Sequence, residues 1–528
     1  MKIIINSLSN LSQTLLYDIE KLRYDIYCTE LKQYSENSSG RLIETISTTE
    51  YIIVCDSDTE ELMGFVCVTP PFSEKNSVSK YLSQSVIDVF ASNFFEIRCL
   101  SIKDEYRHSY SIVNILLGNL MLYCTKYCPC NMVTMARKEL FGTYMKSVKF
   151  NCIGNPVKCG ETELIPLQLY VQKNELLSYA VRIYPDIQLD RCLCPHGLGV
   201  TQNTEYCLDV LDNQYNLFEN SLYKHSPDAY SRELRQKIAS VYSVDTENVS
   251  VGCGLSQLIF AGLQSVFTKY DTVSVLYPTY EEYEFVLRNI VNCKIHRIYI
   301  TDETTEETIA NECKNSGSVG LVLVSPNSPL PFVVDIEKLS AELPQKMILW
   351  VDETYFPFYN YLTNNDPSFS YKTPKLISNR NCIIARSMSK IYSMSGLRLG
   401  YCISTKSIIT LIDTFIPPWS VNVIANQKGI EIHTDLSLYN SKIKETLNKT
   451  IESRDILINT LKSMIGLKII NSEISVNYIF VHTETDFYTI LSQQNIKIRR
   501  YKELQNFYRI TVPSLDTVQA IVTRLDKQ

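Results

Sequence analysis

The densest run of chemistry-bearing residues is ARSMSKIYSMSGLRLGYCIS, residues 385–404. Lys390 follows Ser387 and Ser389, and Arg398 comes eight residues later inside G-x-R-x-G-Y. A lysine that forms a Schiff base must sit just past a strand end with its amine aimed into a cleft. Two hydroxyls and a guanidinium around it suit an anchored phosphate, because hydroxyls donate single hydrogen bonds and a guanidinium forks onto the oxygens. Gly396 and Gly400 allow tight backbone turns in the same stretch. S-x-S-K alone is a weak signal, but the same run at fixed distance from G-x-R-x-G-Y is a strong one.

Five further segments carry polar or aromatic residues in a fixed order. VGCGLSQLI, residues 251–259, is a turn running into a helix, where the backbone N–H groups of Gly254, Leu255 and Ser256 can hold a phosphate. YPTYEEY carries Tyr280, VDETYFPF carries Asp352 and Tyr355, IKIRRY carries Arg499, and YRITV carries Arg509. Taken singly, Lys390 reads as a solvated lysine, Asp352 as a turn residue and Tyr280 as a core aromatic. Taken together, residues 205–528 resemble the fold-type I pyridoxal-phosphate enzymes, class I/II aminotransferases, and most closely the histidinol-phosphate aminotransferase branch. The resemblance implies pyridoxal 5'-phosphate bound on Lys390, with Ser387, Ser389 and Arg398 on its phosphate and Tyr280 stacked on its ring. It implies Asp352 on the pyridinium nitrogen, Tyr355 on the 3' oxygen and Arg509 on a substrate anion. Arg499 matches a second, substrate-specific arginine. YCLDVLDNQYNLF resembles the N-terminal arm, whose Tyr215 would complete the site of a partner subunit in a homodimer.

One departure falls at the 3' oxygen. The family reads N-N-P-T-G where this chain reads Pro326-Asn327-Ser328-Pro329-Leu330-Pro331. Either Ser328 replaces the usual amide, or a local shift brings Asn327 in.

The first 172 residues carry a different pattern. LRYDIYCTELKQY, residues 22–34, puts Arg23 on an amphipathic helix, and FFEIRCLSIKDEYRHS, residues 94–109, is a strand with Glu96 and Arg98 running into a basic turn with Arg107. Such a turn can grip a pyrophosphate. This part resembles GNAT-fold acyltransferases of the autoinducer-synthase and N-acyl amino acid synthase kind, which implies acyl-CoA or an acyl-carrier protein as donor. The family's strand reads E-I-S-R. Here the arginine is displaced by one residue, which on a strand is expected to turn it to the other face. The family's acidic run is reduced to Glu44. An active acyltransferase and a degenerate, carrier-binding scaffold are both left open.

These residues need elements to hold them. Strand patterns at Ile3–Ile5, Tyr51–Val54, Met63–Val68, Phe95–Ile102, Met132–Met135 and Gln168–Val171, with a helix at 112–127, predict a small α+β unit over 1–172. Residues 173–204 have mixed polarity and no sustained period, and read as a connector. Beyond it, short apolar runs alternate with helices, which predicts a mostly parallel sheet covered on both faces (about 230–420). A long helical stretch over 421–461 and a βαβ-like tail predict a small α/β domain from 421–528 with 205–229. The fold class is α/β, a GNAT-like α+β domain followed by a fold-type I transferase.

Composition bounds the function. The 528 residues, 20% charged and 45% hydrophobic with net charge −6, are ordinary for globular domains and lack the basic field of a nucleic-acid binder. No apolar run reaches the roughly 20 residues of a membrane span, and MKIIINSLSN turns polar too early for a secretory signal. Seventeen cysteines, an odd number, predict reduced thiols in a cytoplasm. Cys124, Cys128 and Cys130, and Cys192, Cys194 and His196, lack zinc-knuckle spacing, so no metal is expected. The expectation is an aminotransferase for a small amine or amino acid carrying an anionic group, fused to an N-acyltransferase. The alternative is decarboxylation or acyl condensation on the same cofactor.

Overall fold

The computed structural model describes residues 1–71, 73–89, 94–107, 110–140, 148–190, 226–370, 372–379, 381–464, 466–474 and 476–525. The chain divides into two compact units, Met1–Leu189 and Asp190–Gln528.

The first unit is built on strands β1 (Lys2–Ser7), β2 (Glu50–Cys55), β3 (Leu62–Thr69), β4 (Phe94–Ile102), β5 (Cys130–Arg137), β6 (Asn151–Cys152), β7 (Val157–Cys159) and β8 (Thr162–Val171). The sheet order is β1-β2-β3-β4-β5-β8-β6, with β7 also on β8. Every pair is antiparallel except β4–β5. A parallel pair needs a crossover, and the helix Tyr110–Cys124 lies in the connection between these two strands.

The segment expected as a connector begins differently. Lys173–Ile183 is a helix opened by a Gln172/Glu175 capping box, and it buries Leu176, Tyr179, Ala180, Val181 and Ile183. It packs closely on the preceding helix, since a Cβ on Gly118 would lie 2.7 Å from Tyr184 Cβ. Eleven residues with polar caps carry too few turns for their period to stand out in the sequence, and tertiary burial decides the matter.

The second unit contains β9 (Val249–Cys253), β10 (Thr272–Tyr277), β11 (Lys294–Tyr299), β12 (Gly320–Val324), β13 (Ile348–Asp352), β14 (Cys382–Ser387) and β15 (Leu399–Ile403), in the order β11-β10-β12-β13-β14-β15-β9. Strands β12, β13 and β14 are buried at every residue, as unbroken apolar runs covered on both faces require. β15 alone runs against its neighbours, antiparallel to both β14 and β9. The helix Gly254–Val266 lies so close that a Cβ on Gly262 would fall 2.4 Å from Trp350 Cζ3.

A smaller sheet, β16-β17-β19-β18, uses β16 (Lys468–Ile470), β17 (Tyr478–His482), β18 (Arg499–Arg500) and β19 (Phe507–Thr511). It corrects the βαβ reading, because β17 and β19 pair antiparallel. Alternation has the same period in either direction, so it could not reveal strand sense. The long helical stretch is two helices, Val423–Thr434 and Leu436–Lys462. They are divided at Asp435, whose side chain accepts from Leu438 N and caps the second.

Candidate active site

The strand ends of the larger sheet bring the predicted residues together. β13 ends on Asp352 and β14 on Ser387, and these strands are held in register by parallel pairing. A buried ion pair ties the two ends. Arg386 Nε donates to Glu353 at 2.8 Å, and Nη2 donates to Ser370 O and Thr373 Oγ1, both at 2.7 Å. The guanidinium also lies over the rings of Tyr242 and Phe369, at 4.3 and 5.2 Å. Past β14, Ser389 N donates to Ser387 Oγ at 3.2 Å, and both serines are buried.

Lys390 stands next, open at the cleft. Partial burial first, then the neighbouring guanidinium groups of Arg509 and Arg398, draws its ammonium below the usual lysine range. Arg398 has φ +57 and donates to Ser395 O at 3.2 Å. Its guanidinium lies directly against Gly254, where a Cβ would be 2.5 Å from Nη2. Gly254 itself has φ +74, so only glycine fits this turn without strain. A Cβ on Gly400 would lie 2.7 Å from Leu255 N. The start of the helix Gly254–Val266 thus packs its backbone on this segment, Gly254 against Arg398 and Leu255 against Gly400, where a phosphate could be cradled. Ser256 Oγ donates to Glu282 at 2.9 Å. Gly396 has no such role, since a Cβ there would meet nothing within 4 Å.

Asp352 is buried, and burial pushes its carboxyl above the usual range. It accepts from Tyr283 Oη and Thr354 N, both at 2.8 Å, and Tyr283 Oη accepts from Trp350 Nε1 at 3.1 Å. A buried carboxylate with neutral donors only is suited to a cationic partner such as a pyridinium N–H. Tyr280 packs edge-on to Tyr283 with centroids 6.1 Å apart and leaves its own ring 45% exposed, available for stacking.

The departure at 326–331 places Asn327 and Ser328 in different surroundings. Asn327 is fully buried, and its Nδ2 donates to Pro278 O at 2.8 Å and Leu330 O at 2.9 Å, while its own carbonyl accepts from Tyr478 Oη. Asn327 Nδ2 thus holds the loop, while its Oδ1 is buried without a hydrogen-bond partner. Ser328 Oγ accepts from Arg509 Nη1 at 3.3 Å and lies near the phenols of Tyr355 and Tyr478. Those two rings meet at 5.2 Å, edge to face.

Arg509 on β19 sits 5.8 Å from the centroid of Tyr478. Arg499 pairs with Glu281 at 2.6 Å at the exposed rim. Tyr215 lies outside the described residues. Sequence reasoning missed Tyr283 and Tyr478. Tyr283 was within reach, because three residues after Tyr280 on a helix start it shares that residue's face. Tyr478 gains its place only from the antiparallel small sheet.

In the first unit, Arg23, Glu44, Glu96 and Arg98 form one buried cluster. Arg23 and Arg98 each donate to Glu44 Oε2 at 3.2 Å. Arg98 also reaches Thr49 Oγ1 at 2.7 Å and Thr69 Oγ1 at 3.0 Å, and its Nε lies 3.5 Å from Glu96. Ser77 N donates to Glu96 at 2.8 Å. Two residues apart on a strand, Glu96 and Arg98 share a face, and the pairing of β3 with β4 has a register shift at Phe65/Cys67, near Cys99 at φ +51. Arg107 stands apart, donating to Ile102 O at 3.0 Å and to Glu30 at 2.8 Å.

Comparison with known proteins follows this geometry. Residues 198–525 match the family model described as aminotransferase class I and II. A histidinol-phosphate aminotransferase of Caldanaerobacter subterraneus subsp. tengcongensis is 25% identical over 305 residues, covering 57% of this chain and 83% of that protein. One of Ruminiclostridium cellulolyticum is 26% identical over 318 residues, covering 58% and 82%. The solved histidinol-phosphate aminotransferase of Clostridium acetobutylicum superposes with a TM-score of 0.50 at 22% identity, covering 57% of this chain and 90% of that one. That of Sinorhizobium meliloti, in complex with pyridoxal-5'-phosphate, gives 0.50 at 20% identity, covering 57% and 82%. From the cradle at Gly254 to Arg509, the chain therefore belongs to the class I and II aminotransferases, enzymes that work through pyridoxal phosphate.

Proposed function

We propose that residues 205–528 transfer an amino group from a small donor whose anionic group is gripped by Arg509. The observation that carries this is Arg509 itself. Among the described residues it forms no ion pair; it faces only a serine hydroxyl and an aromatic ring. A guanidinium left this way beside a lysine amine is a receptor for an anion.

The residues fit the cofactor: the Gly254–Ser256 backbone, Ser387, Ser389 and Arg398 would hold its phosphate, Tyr280 would cover its ring, Asp352 would pair with its ring nitrogen, and Ser328 and Tyr355 would meet its 3' oxygen. Bound there, pyridoxal phosphate supplies an electron sink for charge developing at the donor's Cα. Lys390, whose pKa is drawn down by partial burial and by two neighbouring cations, would carry the Cα proton. Arg509 would orient the donor by its anionic group. Borohydride treatment of the purified holoenzyme followed by peptide mass spectrometry is expected to find the adduct on Lys390; an adduct on another lysine, or none, refutes the assignment. Related aminotransferases pair as homodimers, and we extend this to the present chain with Tyr215 reaching the partner's site. Sedimentation showing an active monomer would contradict it.

A second reading concerns residues 1–172. The buried Arg23–Glu44–Arg98 cluster beside the single parallel strand pair supports an N-acyltransferase of GNAT type using acyl-CoA or an acyl-carrier protein. Its two guanidinium groups are balanced by two carboxylates, Glu44 and Glu96, so a substrate would be held there through hydrogen bonds and not through excess charge. Incubation with acyl-CoA thioesters and amino acids, read by mass spectrometry, tests it. Absence of N-acylated product from the wild type, with both partners varied, would leave the unit as a scaffold.

A further inference from the structure

Behind Asp352 runs a chain of two side chains that starts on its own strand. Trp350 and Asp352 are two residues apart on β13, so they leave the same face of the sheet. Trp350 is fully buried. Tyr283, on the helix Glu281–Val286, is fully buried beside it, with ring centroids 6.3 Å apart. Trp350 Nε1 donates to Tyr283 Oη at 3.1 Å, and Tyr283 Oη donates to Asp352 Oδ2 at 2.8 Å. The other carboxylate oxygen, Oδ1, accepts from Thr354 N at 2.8 Å. The indole has room because residue 262 is glycine. A Cβ there would lie 2.4 Å from Trp350 Cζ3 and 2.7 Å from Cη2.

The first member fixes the direction of this chain. An indole N–H can only donate, and so can a backbone N–H. Tyr283 Oη therefore accepts from the indole and sends its own hydrogen on to Asp352. Both carboxylate oxygens thus face neutral donors. Hydrogen bonds of this kind stabilise the ionised carboxylate and weaken it as a base. The indole strengthens the effect by polarising the phenol. Burial works the other way. Between a buried carboxylate and a pyridine nitrogen, the proton can sit on nitrogen, giving an ion pair, or on oxygen, giving a neutral pair. Desolvation favours the neutral pair unless further hydrogen bonds support the charges.

We propose that Tyr283 and Trp350 are positioning residues that hold the shared proton on the cofactor's ring nitrogen and off Asp352. The ring then keeps its positive charge, and with it the capacity to take up electron density. Gly262 belongs to the same device, since it makes the space in which the indole reaches Tyr283. This rests on the placing of Asp352 at the ring nitrogen in the reading above, and adds to it the groups that decide which partner carries the proton.

The test uses holoenzyme carrying pyridoxal phosphate labelled with nitrogen-15 in its ring. The solid-state resonance of that nitrogen at neutral pH separates pyridinium from pyridine. The wild type is expected to show pyridinium. Tyr283→Phe removes the hydroxyl alone, and the resonance should move toward pyridine. Losing a hydrogen bond to a charged group lowers the pyridinium-to-pyridine ratio about tenfold or more. Trp350→Phe leaves the bond from Tyr283 to Asp352 in place and should move the resonance the same way by less. It carries the test alone if Tyr283→Phe does not fold. A merely structural role predicts lower melting temperatures with the ring-nitrogen resonance unmoved in the variants that fold, and that result overturns the proposal. Asp352→Asn separates the proposal from the reading beneath it, because the ring should become pyridine in that variant. A resonance unmoved in Asp352→Asn, or pyridine in the wild type, overturns the placing of Asp352 itself.

Discussion

At the scale of residues, the site divides into groups whose types announced their chemistry and groups whose neighbours confer it. Lys390, Asp352, Ser387, Ser389 and Arg398 belong to the first kind, because a Schiff-base amine and a phosphate clamp demand those side chains at fixed spacing. Ser328 belongs to the second. An alignment could not choose between it and Asn327, and what bears on the choice is that Asn327 Nδ2 is already engaged by backbone acceptors on Pro278 and Leu330. Arg509→Ala is expected to lower kcat/KM about a hundredfold or more while the cofactor stays bound, since losing one partner of a buried charged contact costs about 3–5 kcal/mol. Steady-state kinetics with the cofactor's absorbance recorded in parallel checks this, and an effect within a few tenths of a kcal/mol would mark Arg509 as a surface residue.

At the scale of elements, the apolar strands β12 to β14 were legible because burial on both faces leaves continuous hydrophobic runs. The helix Lys173–Ile183, the sense of β17 and β19, and the break at Asp435 were not, because each is decided by packing partners far away in sequence. Two consequences belong here. Gly262→Ala forces a Cβ into the indole of Trp350, and overpacking of this kind costs about 1–3 kcal/mol. Thermal denaturation should show the loss, and an unchanged melting temperature would mean that helix and sheet can move apart freely. His433, near the end of the helix Val423–Thr434, is buried, with Nδ1 2.8 Å from Gly429 O and its ring 5.6 Å from that of Tyr401. Burial, with Arg386 nearby, lowers its pKa to about 4. The unfolded imidazole protonates near 6.5, so between these values the unfolded state holds the extra proton. Stability should fall by up to about 3 kcal/mol as pH drops from roughly 6.5 to 4. Urea titrations across this range should show that slope, and His433→Gln should flatten it.

At the scale of the whole molecule, the two units have separate sheets and separate cores, and the sequence marked this through the change in pattern after about residue 172. The first unit's boundary falls later, at Leu189, because the helix after β8 completes its core. Residues 1–189 produced alone are expected to unfold in a single cooperative urea transition. A broad, non-cooperative profile would show that the unit depends on the rest of the chain. No helix among the described residues is long and apolar enough to cross a membrane. The central claim is that the second unit moves an amino group with Lys390 as its proton carrier. The direct measurement is a single-turnover reaction of the holoenzyme with an amino acid donor, in which cofactor absorbance, keto product and carbon dioxide are quantified together. The account predicts one keto acid per site, conversion of the cofactor to its amine form, and loss of that conversion in Lys390→Ala. Carbon dioxide released with the aldehyde form of the cofactor retained would contradict it.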